Sequence, residues 1–218
     1  MFQRSCANRV LGSIFRKKMI HFHVPLVLAS QSPRRKHLLS MLGWTFSVCP
    51  CEEEEVIPQN VSPTQVVMAL AAQKAQSVAQ KQPEALVLAA DTIVVLDDVI
   101  LGKPHDDNHA IEMLNALSGR SNTVYTGICL AHPASARMVT KVERTEVFFH
   151  PMNQQEIWRY VASGAPLDKA GAYGIQDDWG ALFIERIEGD YYNVMGLPLH
   201  LLYKTLTQNF VDLCQMDA

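Results

Sequence analysis

Residues 86–101 read LVLAADTIVVLDDVIL, an apolar and largely β-branched run that turns at an Asp-Asp pair and then continues apolar. This pattern predicts a β-hairpin whose first strand, 86–96, lies in the core. Asp91 stands in the middle of that strand. Because an unpaired buried carboxylate is energetically unfavourable, Asp91 requires either a hydrogen-bonding partner, such as Thr92, or a metal ion.

The segments on either side of the hairpin alternate between extended and helical patterns. In chain order they are a strand at 24–29, a helix that begins after Ser32 at Pro33, a strand at 45–49, a helix that begins after Ser62 at Pro63, a helix around 110–117, strands at 123–131 and 141–149, a helix that begins after Asn153 and stops at Gly164, a strand at 181–187, and a helix at 198–213. Such interspersed elements, without repeats or low-complexity linkers, indicate an α/β protein. The 218 residues suffice for one substantial core or for two small lobes that share a cleft.

The charge balance excludes some classes of partner. The net charge is -3, so no overall positive field attracts nucleic acid or an anionic membrane, and a polyanionic ligand needs a local cluster of cations. No run approaches the roughly 18–20 apolar residues that span a bilayer. The five cysteines are an odd set with no secretory segment ahead of them, which favours reduced thiols and a cytoplasmic location.

The chain begins with a basic segment. Before residue 21 it carries no acid and five cations: Arg4, Arg9, Arg16, Lys17 and Lys18. Two interpretations stay open, namely an organelle-targeting presequence and an ordinary ragged extension or misassigned start. We assign residues 1–22 to a basic N-terminal extension and residues 23–214 to one domain.

A candidate anion site follows the first predicted strand. That strand ends at Ser30 and feeds a helix with Arg34 and Arg35 in its first turn, so hydroxyls, guanidinium groups and free backbone N–H groups come together. Two arginines at a helix N-terminus oppose the helix dipole unless an anion lies between them. The alternative is a solvated basic turn.

Three other charged positions are candidates for chemistry. Lys74 lies on the apolar stripe of the second predicted helix, where a lysine either binds a ligand or extends its ammonium group to solvent. Lys103 follows a glycine at the end of the hairpin, a position from which its amine can reach over a cleft. The acidic run 52–55 is either a solvated loop or the source of a carboxylate that shares a metal ion with Asp91.

Six ordered blocks carry a family resemblance. They are LASQSPRRKHLLSMLG from residue 28, AADTIVV from 89, LGKP from 101, LSGRSNTVYTG from 117, PLDKAGAYGIQ from 166 and GDYYNVMGLPL from 189. Together they resemble the Maf family of nucleotide pyrophosphatases. The resemblance implies a two-lobed α/β fold similar to that of inosine triphosphate pyrophosphatases, in which helices flank a mixed sheet, the active site lies in a central cleft and the chain frequently forms a homodimer.

The resemblance also implies roles for individual residues. Five side chains would contact the triphosphate: Ser30, Arg34, Arg35, Lys74 and Lys103. Glu54 and Asp91 would serve the metal ion and the attacking water, with Asp91 as the proton acceptor. Three positions separate substrate subclasses: Arg34, Thr92 and Gln176. The block PLDKAGAYGIQ is similar to that of the branch acting on dTTP and UTP, whereas the branch acting on 7-methyl-GTP differs there.

These roles imply a reaction. We expect hydrolysis of dTTP, UTP and modified pyrimidine nucleotides to monophosphate and pyrophosphate, a cleaning of the nucleotide pool, with Asp91, Lys74 and Lys103 as catalytic residues. The carboxylates would repel the triphosphate unless a divalent cation lay between them, and Mg²⁺, or alternatively Mn²⁺, suits oxygen ligands. The amide of Gln176 would read the carbonyl and imide N–H of a pyrimidine.

Two positions depart from the family pattern. Asn122 stands where the family usually has histidine, so a role given to that histidine does not carry over. The loop at Asp177–Trp179 is one residue longer than usual and bears on substrate preference.

Two rival functions stay open, a nucleotide-binding regulator of cell division without enzymatic activity, and a sugar or nucleotide transferase that needs a second acceptor.

Overall fold

The computed structural model describes residues 20–216, apart from the side chains of Asp178 and Met216, so the proposed presequence before residue 20 lies outside the described residues. The strands are β1 (Ile20–Phe22), β2 (Leu26–Leu28), β3 (Ser47–Val48), β4 (Leu86–Leu96), β5 (Val99–Leu101), β6 (Ser121–His132), β7 (Arg137–Phe149), β8 (Ile184–Glu188) and β9 (Cys214–Met216). The α-helices are α1 (Pro33–Met41), α2 (Pro63–Lys81), α3 (Asp107–Leu117), α4 (Gln154–Ala162), α5 (Asp178–Phe183), α6 (Tyr191–Met195) and α7 (Leu199–Asn209). None of these helices has the length and apolar character needed to cross a bilayer.

Seven of the strands form one mixed sheet. Its order is β3-β2-β4-β6-β7-β8, and β5 pairs with β4 as the second strand of the predicted hairpin. β2 runs parallel to β3 and β4, whereas the other neighbours are antiparallel. Helices cover both faces of the sheet, which confirms the predicted α/β class.

The central strand β4 is buried on both faces, and its side chains alternate between two helical layers. On one face, α2 covers Val87, Ala89, Ile93 and Val95. On the other face, α1 and α7 cover Leu88 and Ala90, whereas α3 and α4 cover Val94 and Leu96. The second face therefore carries two separate groups of helices, which corresponds to the predicted pair of lobes.

The two polar residues of β4, Asp91 and Thr92, lie where these apolar layers are interrupted. On the β2 side of β4, the pairing with β2 stops at Leu88 and the pairing with β5 begins only at Val94. Across residues 20–216, no strand pairs with that edge of β4 between these two points. We call this unpaired stretch the strand gap. It opens the sheet beside Asp91 on one face and beside Thr92 on the other.

The predicted helix starts are confirmed. The Ser32 hydroxyl accepts the backbone N–H of Arg35 at 3.4 Å at the start of α1. The residues before α2 and α4 form capping boxes, in which a cap side chain and a side chain three residues later satisfy each other's backbone N–H groups. These local signals are independent of tertiary contacts, which explains why the sequence alone predicts them.

Two predicted elements near the C-terminus are wrong in extent. The strand predicted at 181–187 begins only at Ile184, because Ala181 to Phe183 form the last turn of α5; a short apolar run fits either state. The helix predicted at 198–213 ends at Asn209. The chain then forms a 3₁₀ turn and β9, which pairs antiparallel with β1. This partner strand lies in the segment assigned to the N-terminal extension.

Gly127 of β6 sits opposite Asp91 in the β4–β6 ladder and lets α2 approach the sheet. A Cβ atom at Gly127 would lie 2.3 Å from the carbonyl oxygen of Val67 in α2, closer than any van der Waals contact allows. The helix therefore packs against bare backbone at this point, which brings its next turn close to Asp91.

We expect Gly127→Ala to destabilise the fold by about 1–3 kcal/mol, because α2 must move away to make room for the methyl group. Urea unfolding followed by circular dichroism measures the change. Gly102→Ala is the control, since its Cβ would meet no atom within 4 Å, and it should shift stability by less than about 0.5 kcal/mol. Equal unfolding midpoints for the two variants would contradict the close packing of α2.

Candidate active site

A cavity of about 540 Å³, open to solvent, lies over Thr92 on the face where the two groups of helices part. Five of the predicted site residues line it: Arg34, Arg35, Thr92, Lys103 and Gln176. They come from α1, from β4, from the segment after β5 and from the segment between α4 and α5. The structure therefore brings together, around one cavity, residues that are far apart in the sequence.

Arg35 is the most constrained cation of the cavity. Its guanidinium donates from Nε to the carbonyl oxygen of Gly196 at 2.8 Å, from Nη1 to the Ser30 hydroxyl at 3.3 Å and from Nη2 to the Thr92 hydroxyl at 3.0 Å. These contacts connect α1 with β4 and with the end of α6. The planar fork of an arginine holds such an arrangement more rigidly than a lysine can.

Burial disfavours the positive charge of Arg35, and the neighbouring charges modify this effect. Burial lowers the pKa of Arg35, and the negative charge of Asp91 opposes that shift; Arg34 lowers it further and Glu55 raises it. Because Arg35 donates to Thr92, the residue next to Asp91 in β4, its guanidinium lies at the strand gap beside the Asp91 position. An anion entering beside Arg35 would reduce the unfavourable effect of burial.

Arg34 and Lys169 are already paired with carboxylates. Arg34 donates to Asp168 Oδ2 at 2.7 Å, and Lys169 Nζ lies 2.7 Å from Asp168 Oδ1 and 3.1 Å from Asp177 Oδ2. Desolvation acts to raise the pKa of Asp168, but the hydrogen bonds from Lys169 and Arg34 outweigh it and hold that pKa below its ordinary value. Asp168 therefore remains ionised as the counter-charge of two cations in the cavity.

Asp91 is paired on the opposite face of the sheet. Lys74 of α2 donates from Nζ to Asp91 Oδ1 at 2.5 Å and lies 2.9 Å from Glu55 Oε1. Only 12% of the Asp91 side chain and 14% of the Lys74 side chain are exposed, so this is a largely buried ion pair. The ammonium group of Lys74 thus lies between two carboxylates.

Glu55, one residue beyond the predicted Glu54, is the carboxylate that reaches Lys74. Gln73 of α2 fixes the position of the acidic segment along the helix, because its side-chain amide accepts the backbone N–H of Val56 at 3.1 Å and donates to the Val56 carbonyl oxygen at 2.8 Å. Glu55 is the residue before Val56, and Lys74 is the residue after Gln73. The two hydrogen bonds between Gln73 and Val56 therefore bring the charged side chains of Glu55 and Lys74 together. Glu54 is exposed and lines the neighbouring groove. In a run of four glutamates, the sequence contains no signal that distinguishes the two.

Asn122 supports the wall of the cavity through a hydrogen bond from Tyr173. Tyr173 lines the cavity and donates its hydroxyl to Asn122 Oδ1 at 3.0 Å. Asn122 is buried, and its Nδ2 finds no hydrogen-bond partner among the described residues. Burial raises the pKa of Tyr173, so the hydroxyl stays protonated and continues to donate. Asn122 therefore supports the cavity from behind Tyr173.

Sequence reasoning did not single out Asp168, Lys169 or Tyr173, although all three lie in the block PLDKAGAYGIQ. A possible signal was the presence of charges in a glycine- and proline-containing loop, a composition typical of binding segments. In residues 20–216 no three His, Cys, Asp or Glu side chains converge as a metal site. The pair of carboxylates around Lys74 is an all-oxygen donor set, and Mg²⁺ is often bound by one or two carboxylates together with substrate phosphates.

Known proteins resemble this chain over most of its length. A family model described as "Maf-like protein" matches residues 25–209. A protein of Salinibacter ruber named dTTP/UTP pyrophosphatase is 50% identical over 200 residues, covering 92% of this chain and 98% of that protein. One of Bacillus cereus with the same name is 48% identical over 187 residues, covering 86% and 96%. The solved structure of a HAM1 protein from Coxiella burnetii aligns with a TM-score of 0.48 and 18% identity, covering 85% of this chain and 99% of that one. The family model spans most of the chain and both relatives share about half of their residues with it, so the chain belongs to the family of Maf-like proteins.

Proposed function

We propose that this protein hydrolyses dTTP and UTP to the nucleoside monophosphate and pyrophosphate. The observation that carries the proposal is the buried Lys74–Asp91 pair at the strand gap, next in β4 to Thr92, over which the arginine-lined cavity lies. The names of the two bacterial relatives support the same substrates. The predicted homodimer and cytoplasmic location stay predictions.

The cations of the cavity suit a triphosphate. At an effective dielectric near 20, each pair of unit charges about 4 Å apart contributes roughly 4 kcal/mol. Arg35 and Lys103 would neutralise phosphate charge directly. Arg34 would exchange the carboxylate of Asp168 for a phosphate oxygen, since both are anionic acceptors for a guanidinium group. Ser30 would add a hydroxyl at the rim of the strand gap.

The remaining wall suits a flat, partly polar base. Val94, Val124 and Tyr173 provide apolar surface on which a pyrimidine can lie. Thr92 and Gln176 provide the polar groups of this wall. The amide of Gln176 would accept the imide N–H of uracil or thymine and donate to a neighbouring carbonyl oxygen, which is the pairing that an amide makes best.

A divalent cation, which the family implies, fits the carboxylates of this site. We propose that Asp91 and a member of the acidic run, Glu54 or Glu55, hold it together with the phosphates. Mg²⁺ is the favoured ion and Mn²⁺ the alternative, because the available donors are all oxygen atoms. When bound, the cation supplies Lewis-acid stabilisation of the phosphate oxygens. The position of the Lys74 ammonium group between two carboxylates supports the proposal that positive charge is favoured there.

The residues of the chain can carry the hydrolytic step. Asp91 would accept a proton from a water molecule as that water attacks the α-phosphorus. The bond between this phosphorus and the oxygen that bridges to the β-phosphate breaks, and pyrophosphate leaves with the electron pair. Lys74, Lys103 and Arg35 would stabilise the charge that develops on the leaving group.

The first prediction concerns products and metal. With Mg²⁺, UTP should yield UMP and pyrophosphate, because the proposed attack is on the α-phosphorus. Excess EDTA should abolish the reaction, and Mg²⁺ or Mn²⁺ should restore it. Anion-exchange chromatography separates the products. Formation of UDP and inorganic phosphate would refute the proposed site of cleavage, and turnover in EDTA would refute the metal requirement.

The second prediction separates an enzyme from a nucleotide-binding regulator. Asp91→Asn should lower kcat by about 10²–10⁴-fold, the usual contribution of a general base, while the amide preserves the contact with Lys74. Thermal unfolding should show that the fold is retained. A variant with unchanged turnover would exclude Asp91 as the base.

The third prediction decides between two adjacent glutamates. Glu55→Gln should raise the Mg²⁺ concentration needed for half-maximal activity and lower kcat by about tenfold or more, because Glu55 contacts Lys74 beside Asp91. Glu54→Gln is the matched control, with the same chemical change one residue away on an exposed side chain. The reverse order of effects, measured by titrating Mg²⁺ against turnover, would assign the metal to Glu54.

A further inference from the structure

The loop from Gly174 to Gly180 is closely packed around Gln176, whose amide lines the cavity. A Cβ atom at Gly180 would lie 2.1 Å from the Gly174 carbonyl oxygen, and one at Gly174 would lie 2.7 Å from Asp177 Oδ2. Two glycines thus allow the loop to fold back on itself. This packing holds Asp177 next to Gln176 and under the wall of the cavity.

Asp177 makes a separate contact with each carboxylate oxygen. Oδ1 accepts the side-chain amide of Gln176, from Nε2, at 3.1 Å. Oδ2 accepts the hydroxyl of Tyr160 at 2.8 Å and lies 3.1 Å from Lys169 Nζ. The Tyr160 hydroxyl also accepts the backbone N–H of Gly174 at 3.1 Å. Oδ2 is therefore held by two donors, which leaves Oδ1 to the amide of Gln176.

The protonation of these groups fixes the direction of each hydrogen bond. Burial, followed by the hydrogen bond to Asp177, raises the pKa of Tyr160, so its hydroxyl remains a donor. An ionised carboxylate can only accept. A flip of the Gln176 amide would place its oxygen against Asp177 Oδ1, and two acceptors would then face one another. The amide is consequently held with its nitrogen toward Asp177.

An amide held in one orientation reads only one order of donor and acceptor on a base. With one N–H given to Asp177, Gln176 keeps its oxygen as an acceptor and its second N–H as a donor. Uracil and thymine present an imide N–H beside a carbonyl oxygen, which matches this order. Cytosine presents a ring-nitrogen acceptor beside an exocyclic amine donor, so it requires the flipped amide. A freely rotating glutamine could read either base.

We propose that Asp177 is a positioning residue that fixes the orientation of the Gln176 amide and thereby makes the cavity select nucleotides whose base carries an imide N–H over those of cytosine. This inference rests on the proposed function and deepens it. Gln176 lines the cavity and Asp177 does not, so Asp177 would act through Gln176. Discrimination by a well-placed pair of hydrogen bonds amounts to about 10–100-fold.

UTP and CTP are the appropriate pair of substrates, because they have the same size and charge and differ only at this edge of the base. The measurement is the ratio of kcat/KM for UTP to that for CTP. Asp177→Asn should lower this ratio about tenfold, since the new side chain can either accept from or donate to Gln176. Asp177→Ser, which removes the carboxylate and leaves a small hydroxyl, should lower it as well. Affinities for UMP and CMP, measured by calorimetry, should change in the same direction.

Two controls separate the proposed role from a general loss of structure. Tyr160→Phe removes one of the two donors to Asp177 Oδ2 but leaves Lys169 and the contact with Gln176 in place, so the ratio should stay unchanged. In a Gln176→Ala background, where no amide remains to be oriented, Asp177→Asn should have no further effect on the ratio. A loss of stability alone would affect both substrates equally and leave every ratio unchanged.

The outcomes are distinct. A ratio that falls in the Asp177 variants, and not in the Tyr160 variant or the double variant, supports the inference. An unchanged ratio in Asp177→Asn, together with a reduced ratio in Gln176→Ala, would overturn the role of Asp177 and leave the proposed function intact. A wild-type protein that hydrolyses neither UTP nor dTTP would overturn the proposed function, and this inference with it.

Discussion

The compensation of the Asp91 carboxylate within the central strand is the constraint on which the rest of the structure depends. A buried charge is tolerated only with a close and well-placed partner, and Lys74 provides it at 2.5 Å. That contact requires α2 to lie close to the sheet, which the bare backbone of Gly127 permits. The two hydrogen bonds between the Gln73 side chain and the Val56 backbone then bring the acidic segment to the same ammonium group.

Neighbouring residues of a strand face opposite sides of the sheet, and β4 uses this property for two tasks. Asp91 faces α2, and Thr92 faces the arginine-lined cavity, where it accepts from Arg35. The short extent of β2 and β5 leaves the edge of β4 open between them. One strand therefore presents a carboxylate on one face of the sheet and a hydroxyl on the other, without a long loop to bring them together.

The sequence predicts what is locally encoded. The hairpin at 86–101, the helix caps at Ser32 and Asn153 and the class of fold all follow from periodicity and short-range hydrogen bonds. The choice of Glu55 over Glu54 as the partner of Lys74 depends on the two hydrogen bonds between Gln73 of α2 and Val56, which no local pattern shows. The same holds for β9, whose partner β1 lies nearly two hundred residues away along the chain, and for Asp168, which matters only because α1 brings Arg34 to it.

The ion pair between Arg34 and Asp168 has a mechanical consequence. Arg34 belongs to the lobe built on α1 and α7, whereas Asp168 follows α4 in the other lobe. The ion pair therefore links the two lobes across the cleft. Because the Asp168 side chain is 58% exposed, breaking this ion pair requires only about 0–1 kcal/mol. Thermal motion at ambient temperature is enough to release it. The protein can thus keep its cleft narrow at rest and still widen it at little cost in free energy.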